Sequence, residues 1–234
     1  MRGVEDYLAQ IKRLEEEGRR ATGTLLSQSL KVALPSASEM VKKLGEEGYL
    51  TKGDDGTISL TSEGRPLAYR VLLRHRLVER LLTDVLHMPW YQVHQEAHRL
   101  EHAVSVRVEE ALAQTLGFPD YCPHGHPMCP IDSRNLSPLE SAEAGDEVGV
   151  AQISEVEENL LAYFDSMGLS PGAIIKIKEV DPKGGPFLLE TGAGTVTLGR
   201  EVTAHVHVCP PTEADLINRK SIPAEKALTS GGKG

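Results

Sequence analysis

The chain has 234 residues, 40% of them hydrophobic, and a formal net charge of −9. That is apolar enough for two or three folded units and too apolar for a disordered chain. No apolar run approaches the ~20 residues of a membrane helix, and the first residues lack a signal core. Cys122, Cys129 and Cys209 are too few for a disulfide framework, so a cytoplasmic protein with no membrane partner is expected.

Charge is unevenly placed. Residues 1–80 hold 14 Lys/Arg against 12 Asp/Glu, net +2, while residues 81–234 hold 11 against 22, net −11. Only the first third suits a phosphate backbone. Within it, Val4, Tyr7, Leu8, Ile11 and Leu14 recur at helical spacing and Gly18 marks a stop. A second apolar segment covers residues 25–32. Pro35 suits the first turn of a third helix, which carries Met40, Val41 and Leu44 and closes at Gly48. Residues 49–52 and 57–61, joined by Gly53-Asp54-Asp55-Gly56, predict a hairpin.

Thr61 is placed to cap a long helix reaching about residue 87, and a further helix is predicted over 93–116. Residues 117–145 are rich in Pro, Gly and Ser and read as a linker. The period then changes. Short strands are predicted over 148–153, 174–180, 187–190, 195–198 and 202–208, with one helix near 157–167, the pattern of a small barrel. Residues 211–234 lose periodicity and read as a flexible tail.

Helix, short turn, helix and hairpin is the order of a winged helix-turn-helix, whose second helix enters the DNA major groove. Pro35, Ser36, Ser38 and Glu39 then stand at its leading end near base edges, and Lys42, Lys43 and the wing residue Lys52 meet phosphates. A helical bundle with an incidental hairpin is the alternative. Two features speak for it: Ala33 stands where a capping Ser or Thr is usual, and the turn has no Gly.

The second constellation is denser. Five of the nine His fall within residues 75–102. His94, His98, Glu101 and His102 share one side of a helix, and His75 and Glu79 stand four apart on the preceding one. Two antiparallel helices presenting imidazoles and carboxylates to each other can cage a metal of the Mn, Fe, Zn, Co or Ni kind. An enzyme reading competes, because His98-x-x-Glu101-His102 matches the H-x-x-E-H pattern of inverted zinc peptidases. It leaves His75, Glu79 and His94 without a role. A metal-storage or chaperone module has no use for the wing or the Lys42/Lys43 pair. Cys122-Pro-His124-Gly-His126-Pro-Met-Cys129 could hold a metal, but its Cys-x6-Cys spacing fits no zinc knuckle and an ordered Pro/Gly loop is the better reading.

Together these stretches resemble the diphtheria toxin repressor family of iron-dependent and manganese-transport regulators, over roughly residues 4–208. The specific parts run from Arg74-His75 to Leu82, from Val93-His94 to His102, and Cys122-Pro-His124-Gly. The resemblance implies a mainly α fold with a β C-terminal part. It divides into a winged-helix DNA-binding domain (1–64), a metal-binding and dimerisation domain (65–140), an SH3-like domain akin to the ferrous-transport accessory type (146–210) and a tail. It also implies a homodimer on double-stranded operator DNA and two sites per subunit for Mn(II) or Fe(II). One site would use His75, Glu79 and His94 with Glu155 and Glu158, and the other Asp6 with His98, Glu101 and His102. Iron-type members carry Met where Asp6 stands and Cys where His98 stands. With no sulfur ligand, the set favours Mn(II).

Overall fold

The structure is a computed structural model describing residues 2–129, 132, 134–155 and 157–218. Contacts group the chain into two compact units, Met1–His75 and Arg76–Gly234.

The first unit holds α1 (Arg2–Glu16), α2 (Gly23–Ser29), α3 (Leu34–Glu46), β1 (Leu50–Lys52), β2 (Ile58–Leu60) and the opening of α4 (Gly64–Arg80). Leu8, Ile11 and Leu14 of α1, Leu26 of α2, Ala37 and Leu44 of α3, and Leu50, Ile58 and Leu60 of the hairpin share one buried core. The 3.6-residue period of α1 and α3 and the two-residue period of β2 put these side chains on one side. Without a glycine between α2 and α3, Lys31 takes the left-handed backbone, φ 54°, at a cost of about 1 kcal/mol. Ser27 Oγ fastens that turn by donating to Val32 O. α3 begins on Ala33 with no side-chain cap, and Pro35 in its first turn leaves no amide unsatisfied there.

The second unit begins in α4, which gives way to a π-helical turn over Leu81–Val85 rather than running unchanged to residue 87. Leu86 N donates to Leu81 O, five residues back, a widening that sequence periodicity does not register. A 3-10 turn, Trp90–Gln92, leads into α5 (Val93–Leu100), a second 3-10 turn, Glu101–Ala103, and α6 (Val106–Thr115). The single helix expected over 93–116 is therefore two. Val104 is extended and Ser105 caps α6 by accepting from Val108 N. That local hydroxyl–amide bond offers the backbone an alternative to helix.

The remaining strands form one antiparallel sheet in the order β3-β8-β4-β5-β6-β7. They are β3 (Ser137–Pro138), β4 (Glu147–Ile153), β5 (Ile174–Val180), β6 (Phe187–Thr191), β7 (Gly194–Leu198) and β8 (Val206–Cys209), with α7 (Glu158–Ser166) between β4 and β5. Val150, Ile153, Leu161, Phe164, Ile175, Ile177, Phe187, Leu189 and Val206 fill its core. The predicted class, helical with a β C-terminal part, is the one observed.

Three expectations need correction. Residues 121–128 are buried throughout, so this part of the supposed linker is packed structure. The strand expected over 202–208 is shortened by α8 (Arg200–Thr203), where Thr203 Oγ1 donates to Arg200 O. The supposed tail begins with α9 (Pro211–Ala214) and a 3-10 turn, Asp215–Asn218, in which Ala214 and Ile217 are buried. Gly149 makes room for α9, since a Cβ there would overlap Ala214. So short a segment shows no period to read. Residues 219–234 lie outside the described residues. No described helix is long and apolar enough to cross a membrane.

Candidate metal centre and DNA-binding face

Glu79, on the last turn of α4, is fully buried. Its Oε1 lies 3.4 Å from Nδ1 of His94 on α5 and 3.2 Å from Nδ1 of His124 in the loop over 121–128. Glu155, two residues past β4, brings Oε2 to 3.3 Å from His94 Nδ1. Glu79, Cys122, His124 and Glu155 each present one ligand atom, all within 4.8 Å of one another. Trp90 stands edge-on to His124, ring centres 5.7 Å apart. Behind this group, Gln152 Nε2 and His126 Nδ1 are 2.8 Å apart, and His126 Nε2 is 3.9 Å from Glu155 Oε1.

The electrostatics favour a cation. Two buried carboxylates in one cavity repel unless a positive charge joins them. Burial pushes the Cys122 thiol up, and the Glu79 charge adds to it. Burial pulls His124 towards neutrality, but the Glu79 charge and its partners Cys122 and Glu79 outweigh this and hold the imidazole well above its ordinary value. Both His124 ring nitrogens are buried, and neither closes a well-directed hydrogen bond among the described residues. Carboxylate, imidazole and thiol donors with such under-used nitrogens fit a divalent transition ion.

A second group lies where α5 passes into its 3-10 turn. Glu101, 2% exposed, places Oε1 2.9 Å from His98 Nδ1 and 3.4 Å from His102 Nε2. His98 is half-exposed and His102 nearly covered. Glu101 is thus a buried partner of both imidazoles, not a base facing solvent as the H-x-x-E-H peptidase pattern requires.

The other expected ligands are distributed as follows. His75 is buried one turn before Glu79 on α4. Asp6 is half-buried on α1, in the first unit. Glu158 is not brought to the Glu79 group. It is exposed at the start of α7, where a carboxylate complements the helix dipole. Cys122 and His124 are not among the expected ligands, because Cys-x6-Cys spacing favours a loop over a knuckle and says nothing of a single Cys-x-His pair. The stretch is a loop, and it carries donors. The thiol belongs to the Glu79 group; the Glu101 group, whose lack of sulfur favours Mn(II), holds only imidazole and carboxylate donors.

On the first unit, Pro35, Ser36, Ser38, Glu39, Lys42 and Lys43 of α3 and Lys52 of β1 are all exposed. Lys42 and Lys43 pair loosely with Glu46 and Glu47, at 3.8 and 3.9 Å, contacts weak enough to exchange for phosphate.

Residues 1–56 match the model of the iron-dependent repressor N-terminal DNA-binding domain, 61–130 that of the iron-dependent repressor metal-binding and dimerisation domain, and 137–210 that of the FeoA domain. The iron-dependent repressor IdeR of Mycobacterium tuberculosis is 34% identical over 221 residues, 88% of this chain and 96% of that protein. The chain belongs to the iron-dependent repressor family. The diphtheria toxin repressor of Corynebacterium jeikeium is 32% identical over 201 residues, covering 74% of this chain and 84% of that one. Among solved structures, a manganese-dependent transcriptional repressor in complex with manganese superposes with a TM-score of 0.82 at 31% identity, covering 88% of this chain and 99% of that one. The manganese regulator SloR gives 0.75 at 27%, covering 88% and 97%. The relatives are repressors, not enzymes, and the peptidase alternative falls with that membership.

Proposed function

We propose that this chain is a metal-dependent transcriptional repressor of the cytoplasm that binds double-stranded operator DNA as a homodimer when loaded with Mn(II) or Fe(II), and so controls metal-uptake genes. The observation that carries the reading is the pair of buried His/carboxylate groups, around Glu79 and around Glu101, in a chain whose first 56 residues match a DNA-binding domain. The division into 1–64, 65–140 and 146–210 is supported by where the three family models fall.

One site would be held by Glu79, His94 and Glu155, with His75 from the same helix as Glu79 and with Cys122 and His124 from the loop. The other would be held by His98, Glu101 and His102 with Asp6 from α1. When bound, the ion supplies two positive charges and a cross-link among donors from separate elements. Glu79 and Glu155 then lie buried without mutual repulsion. With Asp6 among its ligands, the second ion would tie α1 to α5 and would hold each α3 at the half-site spacing that a dimer on duplex DNA requires. Binding of metal and of DNA are therefore linked, each strengthening the other by the same factor.

The test is a gel shift on genomic fragments with chelator, Mn(II), anaerobic Fe(II) or Zn(II), repeated with Asp6→Ala. Wild-type protein is expected to retain particular fragments only with metal. Asp6→Ala is expected to remain a folded dimer that no longer responds. Retention indifferent to metal would overturn the reading.

A further inference from the structure

Behind the donor loop stands a buried residue that belongs to none of the donor groups. Arg134 has no side-chain exposure, yet it lies in no helix or strand. Its guanidinium is used on every edge. Nη1 donates to Ala151 O at 2.7 Å, and Nη2 donates to Gly125 O at 2.5 Å and Asp132 Oδ2 at 2.7 Å. Nε donates to Asp132 Oδ1 at 3.1 Å. The plane stacks 3.9 Å from the centre of the Tyr121 ring, whose hydroxyl meets Asp132 Oδ1 at 3.3 Å.

The two carbonyls are the informative partners. Gly125 follows His124 directly in the loop. Ala151 sits in β4 where the pairing with β8 shifts register between Val150 and Gln152, so a bulge turns its carbonyl out of the ladder and makes it available. β4 leads on through Gln152, which meets His126, to Glu155. The loop's backbone lies directly on the strand. Ile153 N donates to His124 O at 3.0 Å, and Gly125, at φ 86°, has no room for a Cβ against the Ala151 carbonyl.

We infer that Arg134 is a positioning residue of the metal centre: by joining Gly125 O to Ala151 O, it holds the loop donors Cys122 and His124 in register with Glu155 at the end of β4. A planar fork with five donors bridges two fixed carbonyls and a carboxylate at once, which an ammonium cannot do. Partners one layer behind ligands set ligand geometry and affinity. The inference rests on the metal reading of the Glu79 group proposed above.

Co(II) is the probe, because a cobalt–thiolate bond has its own near-ultraviolet charge-transfer band, and only Cys122 places sulfur among the donors. Full-length protein, Arg134→Lys and Arg134→Met are titrated under anaerobic conditions. Asp132→Asn is titrated alongside, since it loosens the clamp while leaving the buried arginine. Wild type is expected to develop the band. Arg134→Met and Asp132→Asn should bind at this centre about 10–100-fold more weakly, with the band diminished or lost, and Arg134→Lys should fall between. Cobalt taken up by the His98, Glu101 and His102 group, which lacks sulfur, should be unchanged in every variant. A role in stability alone would lower the melting temperature and leave band and affinity at saturation intact; that result in a folded Asp132→Asn or Arg134→Lys overturns the inference. Wild-type protein that binds Co(II) without the band overturns it too. Wild-type protein that binds no Co(II) at either group overturns the metal reading itself, and the inference with it.

Discussion

At the scale of single residues, the centre is set by groups that could not be buried alone. Glu79 has no exposed surface, and the His94 and His124 imidazoles stand 3.4 and 3.2 Å from its carboxylate. Its ligands depend in turn on the layer behind them. Gln152→Ala frees the His126 ring, and metal affinity is expected to fall about 10–100-fold, read by competition with a chromophoric chelator. Uptake should also strengthen with rising pH, since His124 holds its proton well above its ordinary range and must give it up to a metal. His207 on β8 gives a cleaner pH signal. Burial lowers its pKa below the ordinary imidazole range, so the unfolded chain binds a proton more readily than the folded one. Stability of the chelated protein should therefore fall as pH drops from about 6.5 towards the folded pKa and level off below it. His207→Gln should flatten that interval in urea titrations followed by circular dichroism; an unchanged slope would remove His207 as the cause.

Elements decide which of these groups can meet. The helical face of α1 and α3, the hairpin and the alternation of β5 could be read from residue spacing, because burial on one side leaves a period. The break between α5 and α6 could not. It depends on Ser105 accepting from Val108 N, a long bond at 3.4 Å that competes with one more turn of helix because Val104 is already extended. Ser105→Ala is expected to cost about 1 kcal/mol, measured by thermal melting. The loop over 121–128 was hidden for a different reason: its order comes from β4 and from buried arginines, not from its own composition. Arg76 Nη1 donates to Pro127 O at 2.6 Å and Arg80 Nε to Tyr121 O at 2.7 Å, and such long-range contacts leave no local mark. Gly125→Ala meets both the left-handed backbone and the Ala151 carbonyl. It should lose more than about 2 kcal/mol, with metal affinity falling alongside.

For the molecule as a whole, the net charge of −9 would steer DNA away if it were spread evenly, whereas +2 on residues 1–80 leaves one part compatible with it. Binding should weaken steeply with salt, and removing a phosphate-contacting lysine should reduce the log–log slope by about one. Lys42→Ala and Lys52→Ala are expected to behave so in anisotropy titrations at several salt concentrations, whereas Glu39→Ala should change the preferred sequence instead. The arrangement of donors carries a further consequence, for synthesis. The described DNA-binding elements end before residue 64, while Glu79, Cys122, His124 and Glu155 are spread over the following stretch of chain. At about 5–20 residues per second, the module that would grip DNA leaves the ribosome seconds before its sensor can close. A nascent or prematurely ended chain that stops short of Glu155 then carries a reader without its full sensor.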